Sequence, residues 1–185
     1  MKKTVQPPKL ATSDLTQQFR KLRVLDTSGQ LQRLVCARSF SDYIRQAWPI
    51  LNPSTSYIPN WHIDLISEYL EACSIGQIRR LVVNFPPKGT KSTIVSVMWP
   101  TWSWGPKNQA GTRWMFASYS EKVSTRDSLA RRTLLTSSWY WNHWGSRVRL
   151  IADQNQKTMF QNTSAATCWR PPWAVKVQDS ADNIW

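Results

Sequence analysis

The chain has 185 residues, a formal net charge of +13, three cysteines and two histidines. That length supports one domain with a core of its own, and the charge favours a polyanionic partner, nucleic acid first, over a bare solvated surface. Cys36, Cys73 and Cys168 share no ligand spacing with His62 or His143, which argues against a zinc site or a disulfide framework and for a reducing cytosol.

Residues 1–38 are polar, with Pro7, Pro8 and scattered Lys and Arg, and read as a flexible basic arm with a short helix near residues 14–22. Lys2 and Lys3 run into Thr-Val-Gln-Pro-Pro, not into an apolar core, so no secretory signal is expected. No apolar run approaches the ~20 residues of a membrane span. A helix begins at Ser39 and is expected to stop before Pro49. Residues 51–60 form a loop of turn formers. Residues 61–71 are an amphipathic helix with Ile63, Ile66, Tyr69 and Leu70 on one side.

Residues 81–85 are a strand that stops at Pro86 and Pro87. A turn with Gly89 follows, and Lys91-Ser92 opens a segment that can start a helix. Strand, tight loop, Lys-Ser and helix is the layout of a phosphate-binding loop. Loop and helix N–H groups would face phosphate oxygens. Lys91 would meet the β/γ-phosphates and the Ser92 hydroxyl would hold Mg²⁺. The residue before the lysine should be glycine, and here it is Thr90, with Gly89 one place early. Gly-Thr-Lys-Ser alone also describes an ordinary turn.

A second strand spans 114–119, and Ser120 caps a helix over 121–135. This order argues for an α/β domain with a parallel sheet. Trp61 and His62 are either core and capping residues or the flanks of a bound adenine. Arg126, Arg131 and Arg132 form a solvated or DNA-facing surface, or supply an arginine finger. Trp139, Tyr140, Trp141 and Trp144 pack the end of the preceding helix against the sheet, or stack on bases.

Several blocks resemble the large terminase subunit of tailed bacteriophages. They are Ala47-Trp48-Pro49, Leu51-Asn52-Pro53 and Trp61-His62-Ile63-Asp64, then Arg79-Arg80-Leu81 leading to Pro86-Pro87. Ser96-Val97, Trp99-Pro100, Phe116-Ala117-Ser118-Tyr119-Ser120, Ser138-Trp139-Tyr140 and Asp153-Gln154-Asn155 continue in order. The resemblance covers residues 40–162. It implies a P-loop NTPase-type α/β fold, in which a parallel sheet with flanking helices is incomplete at the C-terminus. Residues 39–163 would be a partial ATPase domain.

The implied activity is ATP-driven packaging of double-stranded DNA into a capsid, in the cytoplasm of the bacterial host. The implied cofactors are ATP and Mg²⁺. The implied partners are double-stranded DNA, the portal protein, the small terminase subunit and a homo-oligomeric ring, with no membrane. The family's Pro-Pro-Arg-His-Gly-Lys-Ser falls on residues 86–92. It places Lys88, Gly89, Thr90, Lys91, Ser92 and Thr93 on the phosphates and Trp61 and His62 on the adenine side.

Two parts of the family are missing. None of Glu121, Asp127, Asp153, Asp179 or Asp182 follows an apolar strand, so the acidic motif for Mg²⁺ is absent, and the nuclease domain has no room. Codons compatible with residues 165–173, read two bases later, spell Gly-His-Met-Leu-Ala-Thr-Ser-Val, close to the family's text at this point. Residues 164–185 are therefore read as a frameshifted or non-homologous tail. The expected protein is a truncated, inactive ATPase fragment; the alternative is a basic nucleic-acid-binding module without catalysis.

Overall fold

The computed structural model describes residues 29–86, 90–118, 120–151, 159–162, 164 and 167–169. The arm before residue 29, Lys88, Gly89, Tyr119, Asp153, Asn155, Asp179 and Asp182 lie outside them. The described chain is mostly helical, with one small sheet.

Helix α1 (Gln30–Arg38) leads through Ser39 into α2 (Phe40–Leu51). Ser39 caps α2, its hydroxyl accepting from the Asp42 N–H at 3.2 Å. Phe40, Tyr43, Ile44 and Ala47 recur at helical spacing and are all buried. The helix does not stop before Pro49 as expected. It runs through it to Leu51, and the Asn52 N–H closes the turn on the Trp48 carbonyl at 2.9 Å. A proline in the last turn removes one donor only, so the cost of continuing is small.

Helix α3 (Trp61–Ser74) buries Ile63, Ile66 and Leu70. Tyr69, expected on that face, is 46% exposed instead. A π-helical turn, Thr93–Met98, runs directly into α4 (Trp99–Trp104). Pro100 has no N–H to offer the carbonyl of Ser96 four residues back. That carbonyl accepts from Arg131 Nη1 at 2.6 Å.

Strand β1 (Trp114–Met115) precedes α5 (Glu121–Thr136) and α6 (Ser138–Trp144). Strands β2 (Met159–Gln161) and β3 (Thr167–Trp169) complete a sheet of order β1-β3-β2. β1 runs parallel to β3, with Trp114 opposite Cys168. β2 is antiparallel to β3, with Phe160 opposite Cys168. An α/β architecture thus holds with one parallel pair, not a fully parallel sheet. β3 lies inside the segment read as a tail, yet it is the central strand, and Cys168 is 2% exposed.

Residues 81–85, expected to be a strand of the sheet, join no ladder among the described residues. They are extended and alternate half-buried with exposed. Among the described residues, 79–86 make no backbone–backbone hydrogen bond. Val82 is 92% exposed.

The core is aromatic. Phe40 meets Trp102 at 4.9 Å between ring centroids. Trp102 and Tyr140 keep hydrogen-bond partners in this core, as low-dielectric surroundings favour. Trp102 Nε1 donates to the Cys36 carbonyl at 2.7 Å, and the Tyr140 hydroxyl donates to the Thr101 carbonyl at 2.8 Å. Gly105 makes the second contact possible, because a Cβ there would lie 2.4 Å from the Tyr140 oxygen. The aromatics of α6 pack on α2 and α4, not on the sheet as expected. Trp139 and Trp144 meet Tyr43 at 5.7 and 5.8 Å. No helix among the described residues is long and apolar enough to cross a membrane.

Candidate nucleotide-binding site

The site begins with the extended segment 81–86 lying along α3. Alternation puts Leu81, Val83 and Phe85 on the half-buried side. The His62 ring sits 4.7 Å from the Phe85 ring at 34°, and Trp61 meets His62 edge-on at 6.1 Å. Trp61 is 72% exposed. A groove of about 400 Å³ follows, lined by Trp61, His62, Leu65, Tyr69, Val82 and Phe85 among others. It is mostly apolar and open, with aromatic side chains that a planar ring system could meet.

The loop re-enters the described residues at Thr90, whose φ is 61°. This is the left-handed region that glycine fills at no cost and a β-branched residue resists. The backbone need inferred from sequence is therefore present, with threonine meeting it. Lys91 and Ser92 then open the helical run, Ser92 at φ −63° and ψ −38°. The Ile94 N–H bonds the Thr90 carbonyl at 3.0 Å. Lys91 folds back so that Nζ lies 3.5 Å from the Val83 carbonyl, a weak contact that a stronger anion would displace. The Ser92 side is exposed, and Thr93 is half-buried.

The structure thus brings Trp61, His62, Phe85, Thr90 and Lys91 around one segment. These residues fit the phosphate and base ends of a nucleotide: a helix start, a lysine and an apolar groove with aromatic walls. The metal end fits less well. Among the described residues no group of three or more His, Cys, Asp or Glu could hold a metal ion. Asp127, one of two described carboxylates after Lys91, is 8% exposed and paired to Arg126 at 2.8 Å.

The arginines of α5 separate into different roles. Arg131 is 3% exposed, bound to the Ser96 carbonyl and 4.0 Å above the Phe116 ring. It is a structural group and not part of a DNA-facing surface. Burial lowers its pKa from the ordinary value. Arg126 is exposed and Arg132 half-buried. The signal that would have placed Arg131 is Pro100, whose abandoned carbonyl partner needs a donor. The cysteines are poor nucleophiles: burial pushes the thiols of Cys36 and Cys168 up to about 12. Comparison with protein-family models, curated proteins and solved structures finds no match.

Proposed function

We propose that the chain is a nucleotide-binding domain of the phosphate-loop type, related to the ATPase of the phage terminase large subunit, and that it does not hydrolyse ATP alone. One observation carries this reading. A left-handed residue, Thr90, stands directly before Lys91-Ser92 at a helix start, with Lys91 held against the strand-like segment that precedes the loop. This supports the reading, because a turn into a phosphate-binding helix start needs that backbone freedom directly before the lysine.

Lys91 meets the phosphates, helix-start N–H groups supply further donors, and Trp61 and His62 flank the base. Ser92 places a hydroxyl where a nucleotide-bound Mg²⁺ would take it. In the related motors, ATP hydrolysis drives double-stranded DNA into the capsid. Here the acidic group that orients water has no counterpart among the described residues, so binding without turnover is the expected activity. Calorimetry with Mg-ATP is expected to show weak binding, with a Kd well above ~10 μM, that Lys91→Ala abolishes. Phosphate release should stay at background. Robust turnover lost in Lys91→Ala would refute the inactive assignment. Binding indifferent to Lys91 would refute the site.

A further inference from the structure

A second surface lies apart from this groove. Residues 29–38, 105–118 and 137–151 contain no Asp or Glu, yet carry Arg33, Arg38, Lys107, Arg113, Arg147 and Arg149. The fold brings parts of all three segments together at the end of α6. Arg33 Nη2 donates to the Asn142 carbonyl at 2.7 Å, and Gln32 bonds the His143 ring at 2.7 Å, tying α1 to α6. Arg147 Nη1 donates to the Gly105 carbonyl at 3.3 Å, tying in the turn after α4. Arg149 Nε donates to the Gly145 carbonyl at 3.2 Å.

Trp141, also on α6, is 47% exposed, with the Arg149 guanidinium over its ring at 4.9 Å from the centroid. Gly145 is closely approached: a Cβ there would lie 2.5 Å from the Trp141 carbonyl oxygen and 2.8 Å from Trp141 Cδ2, so glycine lets the end of α6 close on both the backbone and the indole of Trp141. The acidic residues described lie on α2, α3 and α5: Asp42, Asp64, Glu68, Glu71, Glu121 and Asp127.

We propose that this face binds single-stranded nucleic acid, with an unpaired base stacked at Trp141 and backbone phosphates held by Arg33, Arg147 and Arg149. Each arginine spends one N–H on a carbonyl that fixes its position. The N–H groups left on the exposed Arg147 and Arg149, and those of Arg33 other than its buried Nε, can then meet a phosphate without a large ordering cost. An exposed indole beside a guanidinium suits a free base face, which a duplex hides within its own stack. The surface shares no residue with the nucleotide groove, and the proposal stands without that reading.

The test is fluorescence anisotropy of a labelled 15-mer of deoxythymidine with the full chain, at low salt and with no nucleotide added. Binding is expected, weakened about tenfold by Trp141→Ala and largely kept by Trp141→Phe. The double variant Arg147→Gln, Arg149→Gln should flatten the log–log salt dependence by about 1.4, at ~0.7 per phosphate contact on a single strand. Trp141 is exposed, so circular dichroism should show the variants folded. Three results would overturn the proposal: no binding at ~100 μM protein, the weak limit of the ordinary nonspecific range; equal affinity of parent and Trp141→Ala; or a 15-base-pair duplex bound more tightly and without regard to Trp141.

Discussion

Thr90 is where backbone and side chain disagree, and Thr90→Gly measures the disagreement. At φ 61° an L-residue costs roughly 1–2 kcal/mol relative to the right-handed region. Glycine removes that cost but gains freedom in the unfolded chain, which takes back about 0.5–1 kcal/mol. Measured against Thr90→Val, which also lacks the hydroxyl, the balance is a net stabilisation of about 0.5–1 kcal/mol. For a chain of this size that corresponds to a rise in melting temperature of about 1–4 °C. Thr90→Val keeps the branched carbon and deletes the hydroxyl, so it reports the loss of the side-chain oxygen alone. Thr90→Asn should fall between glycine and threonine, since Asn tolerates this region better than most residues. The assay is thermal unfolding followed by circular dichroism, with urea midpoints as a check. The reasoning fails if Thr90→Gly is no more stable than Thr90→Val.

Tyr140→Phe leaves the buried Thr101 carbonyl without its phenolic donor and should cost about 1–2 kcal/mol in urea unfolding. Arg131→Met strips the Ser96 carbonyl of its donor and should cost about 1–3 kcal/mol, while oligonucleotide affinity moves little; a large loss of affinity at unchanged stability would return Arg131 to the surface. Alkali should destabilise the fold. The Cys36 and Cys168 thiols are raised from 9.0 to about 12, so between those values the unfolded chain has released protons that the folded chain retains. Their contribution is intact below pH 9 and is lost as pH climbs toward 12, at about 1.4 kcal/mol per pH unit for each thiol. Urea midpoints at mildly and strongly alkaline pH, compared with those of Cys36→Ala and Cys168→Ala, would show whether that slope comes from these groups.

Local patterns in the sequence were readable where local physics decides. The cap at Ser39, the apolar spacing of α2 and the span of α5 follow from contacts within a few residues. Pro49 misled because its cost depends on how much helix remains, and only the last turn did. The π-helical turn after Ser92 has no residue signature of its own. Arg131 could not be placed from its own helix, because its acceptor lies 35 residues away. Residues 81–85 are an apolar run of strand length, but strand pairing is a long-range matter, and such a run says nothing about a neighbour. At the site, the order Trp61-His62, strand, Lys91-Ser92 was visible as a motif. The stacking of His62 on Phe85 and the hold of Lys91 on Val83 were not, because both depend on how α3 lies against the extended segment.

The open segment 79–86 bears on how the molecule behaves in bulk. Among the described residues its peptide groups join no backbone ladder, and an extended segment of this kind with an exposed Val82 is a template for another copy of itself. Its guards are chemical: exposed Arg79 and Arg80 at one end, Pro86 at the other, and a net charge of +13 over the whole chain. Pro86 acts at every ionic strength, but charge does not. Its reach falls from ~10 Å at 0.1 M salt to ~3 Å at 1 M. Salt thus works on this protein from two directions. The concentration that strips a polyanion from the face around Trp141 also lets bare strand edges approach one another, and purification in high salt trades one kind of association for the other.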